Sequence, residues 1–296
     1  MEKISVDYIN SRYFSAKDYL EDDESYLEKI REVGDKIVLS RGEKPIILLS
    51  GPSGSGKTTT AQFLEKYLDG IGIETHTVSL DNYFTTVGGR KVDYESPSRI
   101  NAELLSDNIE KLLNCESVRL PIFDFKSETS LFSDTELKRK DGELVIFEGT
   151  HALNPEVVRV KRGTSRIYID VSTVITYQNG VIDGEHIRLM RRIFRDSIYR
   201  GRSALTTLKY FKSVEDGTKK YLEPFKRTAD YELNSFTPYE TALYKEVITK
   251  ELVGVKESLN GDDLLLTEKL LDYLRFVSAK DLSSVPKNSI IREFIG

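Results

Sequence analysis

The sequence predicts an α/β fold with a parallel sheet flanked by helices on both faces, and three observations carry that prediction. From Lys44 to about Thr237, short strand-length runs alternate with longer stretches of helical period. Gly51-Pro52-Ser53-Gly54-Ser55-Gly56-Lys57-Thr58 spells G-x-x-x-x-G-K-[ST] between one such strand and one such helix. Two further predicted strands close on a carboxylate, Asp81 and Glu148, at the carboxyl ends where this topology collects its ligands.

The first 44 residues, rich in Glu, Asp, Lys and Tyr, carry a helical pattern around Tyr26–Ile30 and read as a helical N-terminal extension ending at Arg41-Gly42. The core then runs from 45 to 237. Its predicted strands are Ile46–Ser50, Thr75–Leu80, Val118–Phe123, Leu144–Phe147, Arg166–Val171 and Asp230–Leu233. A C-terminal helical segment, 238–296, holds stretches from about Pro238 to Leu252 and from Leu264 to Ser278. Leu265, Leu270, Leu271 and Leu274 are the expected buried face of the second.

Composition sets the outer bounds. A chain of 296 residues, 39% hydrophobic and 31% charged, is an ordinary globular protein with material for a sizeable core. A net charge of −5 speaks against nucleic acid or an anionic membrane as partner. The single cysteine, Cys115, excludes an internal disulfide and fits a reducing compartment. No stretch is long and apolar enough to span a bilayer, and the charged start does not resemble a signal peptide. The expectation is a cytoplasmic enzyme.

The glycine-rich pattern carries the most specific chemistry. Its glycines let successive backbone N–H groups point into one concavity, and the following helix adds partial positive charge there. Gly51, Ser53, Gly54, Ser55, Gly56, Lys57, Thr58 and Thr59 are the expected nucleotide cradle. Lys57 would reach the β- and γ-phosphates and the Thr58 hydroxyl would ligate Mg²⁺. The predicted fold is therefore the three-layer sandwich of P-loop nucleotide-binding proteins.

Three constellations join the loop. Asp81 closes the second strand, with Tyr83 and Phe84 behind it, as a proton acceptor or metal ligand near an attacking hydroxyl. The other reading is a helix cap or a solvated loop acid. Leu144-Val145-Ile146-Phe147-Glu148-Gly149 has the Walker B form, with Glu148 to hold Mg²⁺ directly or through water. Arg188, Arg191, Arg192 and Arg195 recur at helical spacing, with Arg200 and Arg202 around Gly201. Ile187, Met190, Phe194 and Ile198 would form the packed side of that helix. Such a basic stripe suits a mobile lid over 185–203, closing on phosphates about the Gly201 hinge. The alternative is a solvated face paired to Asp196 and Glu185.

In order and spacing these motifs resemble the uridine kinase and phosphoribulokinase family. The resemblance covers roughly 45–235 and includes Pro121-Ile122-Phe123-Asp124-Phe125, Phe147-Glu148-Gly149, the Arg188–Asp196 block, and Glu223-Pro224 with Ala229-Asp230. The terminal Ile290–Gly296 resembles the end of a bacterial uridine-kinase-like subgroup.

The resemblance implies an ATP- and Mg²⁺-dependent kinase acting on a small-molecule hydroxyl, a nucleoside above all. Thr58, Asp81 and Glu148 would organise Mg²⁺, and Asp81 would also activate the acceptor. Lys57, Arg188, Arg191 and Arg195 would carry γ-phosphoryl charge, with Arg192 joining the nucleotide site. Tyr83, Tyr94, Phe123, Asp124 and Glu128 would line the acceptor site, Tyr94 stacking near the base. A homo-oligomer is implied by the same resemblance.

Two departures bear on the acceptor. Phe123 lacks the hydroxyl usual at its place, and Glu128 stands where the family carries a base-contacting His. A carboxylate accepts where that His could donate, so uracil O4 would lose a donor. Otherwise Glu128 is a surface loop acid. The competing readings are a kinase of another sugar-like alcohol, as in phosphoribulokinase, and a nucleotide-dependent switch or hydrolase without acceptor.

Overall fold

The computed structural model describes residues 2–86, 93, 95–287, 289, 291 and 295. In chain order its elements are β1 (Lys3–Ser5), α1 (Val6–Asn10), α2 (Ala16–Ser40), β2 (Ile46–Ser50), α3 (Lys57–Gly70), β3 (Thr75–Ser79), α4 (Ala102–Leu113), β4 (Ser117–Asp124), β5 (Thr129–Lys138) and β6 (Leu144–Glu148). There follow β7 (Thr164–Asp170), β8 (Val174–Tyr177), β9 (Gly180–Ile182), α5 (Gly184–Tyr199), α6 (Ala204–Tyr221), α7 (Glu223–Lys226), β10 (Tyr231–Asn234), α8 (Glu240–Val255) and α9 (Gly261–Phe276).

The chain divides into two compact units. One comprises 29–169 and 216–233, the other 1–28, 170–215 and 234–296. Two of the divisions fall within helices, so α2 and α6 each contribute to both units.

The first of these units is built on a five-stranded sheet in the order β10-β7-β2-β6-β3. Strands β7, β2, β6 and β3 pair in parallel. Every residue of β2 and β6 is buried, which is why both read as unbroken apolar runs. A core of Leu48, Val78, Leu105, Ile109, Leu112, Val145 and Phe147 packs around it. Helix α4 buries Leu105, Ile109 and Leu112 at helical spacing, and Asn101 caps its start by accepting from Leu104 N–H. Register places Glu148 opposite both Leu49 of β2 and Ser79 of β3, so three strand ends converge at one point.

Two expectations are corrected in this unit. The run Val118–Phe123 does not join the parallel sheet. It belongs to β4, which forms an antiparallel hairpin with β5, a strand the sequence reading did not predict. Burial along β4 largely alternates, the mark of a strand covered on one face, and Pro121 brings no ladder donor. Strand β5 is mostly exposed and polar, so it lacks the apolar signal on which strands were recognised.

In the other unit, β1, β8 and β9 make a three-stranded sheet, with β1 parallel to β8, so the N-terminal extension begins with a strand before its helices. Its core includes Ile187, Met190, Phe194, Leu243, Ile248, Leu270 and Leu274. The tail helices form close to their expected places, but Leu265 is 65% exposed and Thr267, Leu270, Tyr273 and Leu274 make the buried face of α9. Ile198, expected to pack, is likewise exposed at 50%, because α5 ends one residue later and leaves that turn uncovered. Among the described residues no helix is long and apolar enough to cross a membrane.

Candidate active site

The glycine-rich loop joins β2 to α3 in the first unit, and its backbone shows why glycine recurs. Gly54 and Gly56 have φ of 81° and 83°, the left-handed region, and Gly56 is the N-cap from which α3 starts. A Cβ on Gly51 would fall 2.1 Å from the Ile169 carbonyl oxygen, so no side chain fits where the loop leaves β2. The Ser55 and Thr59 hydroxyls are buried and have no hydrogen-bond partner. Lys57 Nζ donates to the Pro52 carbonyl within its own loop at 3.2 Å.

Glu148, at the end of β6, is the meeting point. Burial raises its pKa, while the Lys57 ammonium and hydrogen bonds to Ser79 and Thr58 lower it, and the Asp81 carboxylate opposes them. Lys57, Thr58, Asp81 and Glu148 therefore lie within electrostatic reach of one another. Asp81 itself is exposed, on the 3₁₀ turn Leu80–Tyr83 that Ser79 caps. Gly149 follows Glu148 because a Cβ there would come within 2.5 Å of Leu80 Cβ, where the ends of β6 and β3 touch.

The expected acceptor-site residues separate into groups. Phe123 is 5% exposed and forms an edge-on trio with Phe84 and Phe125, ring centroids 5.0–5.9 Å apart. Asp124 begins the hairpin turn; its carboxylate accepts from Ser127 Oγ at 2.6 Å and Lys126 N at 2.9 Å, which lowers its pKa. Glu128 is exposed in the same turn with φ 51°. Tyr94 lies outside the described residues. Tyr83 is corrected: its ring is 1% exposed in the core and its hydroxyl accepts from Asn108 Nδ2 at 3.0 Å, so it faces the interior. Burial pushes that phenol up to about 12.

The arginines belong to the other unit, and two of them are corrected as well. Arg188 is 5% exposed and makes a two-pronged ion pair with Glu215, at 2.8 and 2.6 Å. Arg191, 4% exposed, does the same with Glu240 at 2.6 and 2.9 Å and also donates to Ser235 O at 2.8 Å. Both are buried, carboxylate-bound groups and not members of a free basic face. Arg192 and Arg195 are half-buried. Burial, then the neighbouring Arg200 cation, lowers the Arg195 guanidinium to about 10, against the pull of Asp196.

Several residues were given no role of their own in the sequence reading, although Phe84 and Phe125 stood within its motifs. Phe84 and Phe125 complete the aromatic trio, and Ser79 binds Glu148. His151 lies three residues beyond Glu148, 4% exposed, with Nε2 at 3.0 Å from the Glu95 carbonyl. Its short spacing from Glu148 was the available signal.

Comparison with known proteins gives the family and the fold. The Phosphoribulokinase / Uridine kinase family profile matches residues 46–242. A uridine kinase of Staphylococcus aureus (strain JH9) is 31% identical over 195 residues, 62% of this chain and 84% of that protein. A putative fructose transport system kinase from Silicibacter sp. TM1040 superposes with TM-score 0.50 at 16% identity, covering 69% of this chain and 98% of that one, and so shares the fold.

Proposed function

Because the chain belongs to the phosphoribulokinase / uridine kinase family and is thus a kinase, we propose that it moves the γ-phosphoryl group of Mg²⁺–ATP onto a hydroxyl of a nucleoside. One observation carries the reading: Lys57, Thr58 and Asp81 all act on the buried Glu148 carboxylate where β2, β3 and β6 end. The 31% identical relatives named uridine kinase support the nucleoside.

The site fits nucleotide and metal. Ser55 and Thr59 bury hydroxyls without partners, and Gly54 and Gly56 hold the left-handed backbone that a phosphate cradle needs. The loop Gly51, Ser53–Gly56 with Lys57, Thr58 and Thr59 would hold the phosphates. Lys57 donates to a neutral carbonyl of its own loop, and a phosphate oxygen is a stronger acceptor. Burial disfavours the charge of Glu148, and a cation beside it would relieve that cost. Thr58, Asp81 and Glu148 would hold Mg²⁺, which when bound neutralises developing phosphate charge. Asp81, the exposed carboxylate, would take the proton of the attacking hydroxyl. Arg192 and Arg195 are the two arginines of the helix that are not fully buried. The lowered pKa of Arg195 marks positive charge that an anion would stabilise.

Release of ADP from Mg²⁺–ATP tests the reading across uridine, cytidine, other nucleosides and sugar alcohols, with a control lacking acceptor. Stimulation by a nucleoside and its loss in Lys57→Ala are expected. ADP release independent of any acceptor would make the protein a hydrolase or switch, and stimulation by sugar alcohols alone would move it toward phosphoribulokinase-like chemistry.

A further inference from the structure

We propose that His151 is a specificity-determining residue of this kinase, its Nδ1 accepting a hydrogen bond from a hydroxyl of the phosphoryl acceptor other than the one that is phosphorylated. The inference rests on the acceptor being an alcohol, as above.

The tautomer follows from the neighbours. Nε2 lies 3.0 Å from the Glu95 carbonyl, which can only accept, so Nε2 carries the hydrogen and Nδ1 has the lone pair. Nδ1 is buried and has no hydrogen-bond partner among the described residues. A buried acceptor left unpaired is unfavourable, so such atoms recur where a ligand or water completes them. Burial holds the ring neutral, its pKa lowered to about 4, so Nδ1 keeps its lone pair at neutral pH.

Position ties this orphan to the reaction. His151 is three residues past Glu148, and the Lys57 ammonium of the phosphate loop acts on its ring. Its hydrogen bond holds Glu95, which α6 also meets: a Cβ on Gly217 would come within 2.5 Å of Glu95 Cβ, and Tyr221 OH reaches Asp93 at 3.3 Å. The Tyr221 ring stands edge-on to His151, centroids 6.2 Å apart. In the proposal the acceptor brings the donor that pairs Nδ1. A hydroxyl supplies such a donor; a phosphate oxygen or a carboxylate does not.

The variant that separates ligand binding from support is His151→Gln, which retains a donor for the Glu95 carbonyl and lacks the Nδ1 acceptor. Wild type and variant are assayed with the best nucleoside and with its 2′-deoxy and 3′-deoxy forms. Expected is a loss of at least tenfold in kcat/KM for the full nucleoside in the variant, KM for ATP unchanged, and no loss for one deoxy form. An equal loss on every analogue means that His151 only braces the segment or binds a water, and overturns the proposal; so does no loss at all.

A second readout is independent of turnover. The ¹⁵N resonance of His151 Nδ1, one of three histidines in the chain, is followed while uridine, cytidine, ribose and glycerol are added. Movement with an alcohol that the enzyme does not phosphorylate keeps the His151 site and sinks the nucleoside reading. Movement with none of them overturns the proposal whatever the turnover.

Discussion

Asp81 and Glu148 differ in exposure, and that difference divides their work. Glu148 is 6% exposed and bound by two hydroxyls, whereas Asp81 is open to an arriving acceptor. General-base assistance is worth about 10²–10⁴ in rate. Asp81→Asn should therefore lower kcat by at least about a hundredfold while ATP binding, read by calorimetric titration, is largely kept; an unchanged rate would make Asp81 a capping residue. Arg191 illustrates what single residues hide. Its guanidinium is matched by Glu240, 49 positions away in sequence, so local spacing showed a basic stripe and not a buried ion pair. Removing one partner of such a pair leaves a buried charge uncompensated, a loss of about 3–5 kcal/mol. Arg191→Ala should show that loss in urea unfolding, and a change below about 1 kcal/mol would place the pair nearer water than the structure has it.

At the scale of elements, α2 supports the helix that starts at the phosphate loop. Gly34 lets it approach: a Cβ there would lie 2.9 Å from two atoms of the Tyr67 ring, and Tyr67 cannot swing away freely because its hydroxyl donates to Asp35. Gly34→Val should destabilise by about 1–3 kcal/mol, the range for overpacking, measured as a shift in the denaturation midpoint. A neutral result would mean that α2 is loosely seated on α3. Elements were legible in the sequence to the degree that they are buried on both faces or periodic. The runs Ile46–Ser50 and Leu144–Phe147 were unmistakable because both faces are covered. The β4–β5 hairpin was not, since β5 exposes most of its residues and its register depends on a turn, with Glu128 at φ 51°, that no pattern announced. For the same reason Tyr83 passed for a site residue: beside Asp81 in sequence, it turns inward on a 3₁₀ turn to meet Asn108.

For the whole molecule, the division into two units sets what ligand binding can do. All of Gly51–Thr58, Asp81 and Glu148 belong to the unit of 29–169 and 216–233, so a nucleotide held there stabilises that unit first. A ligand that binds only the folded state adds RT ln(1 + [L]/Kd), about 2.7 kcal/mol at a hundredfold excess over Kd. For a unit of 150–250 residues, the size class to which this one belongs, that is a rise in Tm of roughly 5–10 °C. Scanning calorimetry with and without Mg²⁺–ATP should show the rise in wild type, and Lys57→Ala should abolish most of it. The Lys57 ammonium also acts on the buried Glu148 carboxylate, so the ligand-free Tm of the variant is read beside the shift and the comparison rests on the ligand-induced rise alone. An equal rise in wild type and variant would mean that the nucleotide binds elsewhere. No rise in wild type would mean that the loop holds no nucleotide, and the kinase reading of its neighbours would fall with it.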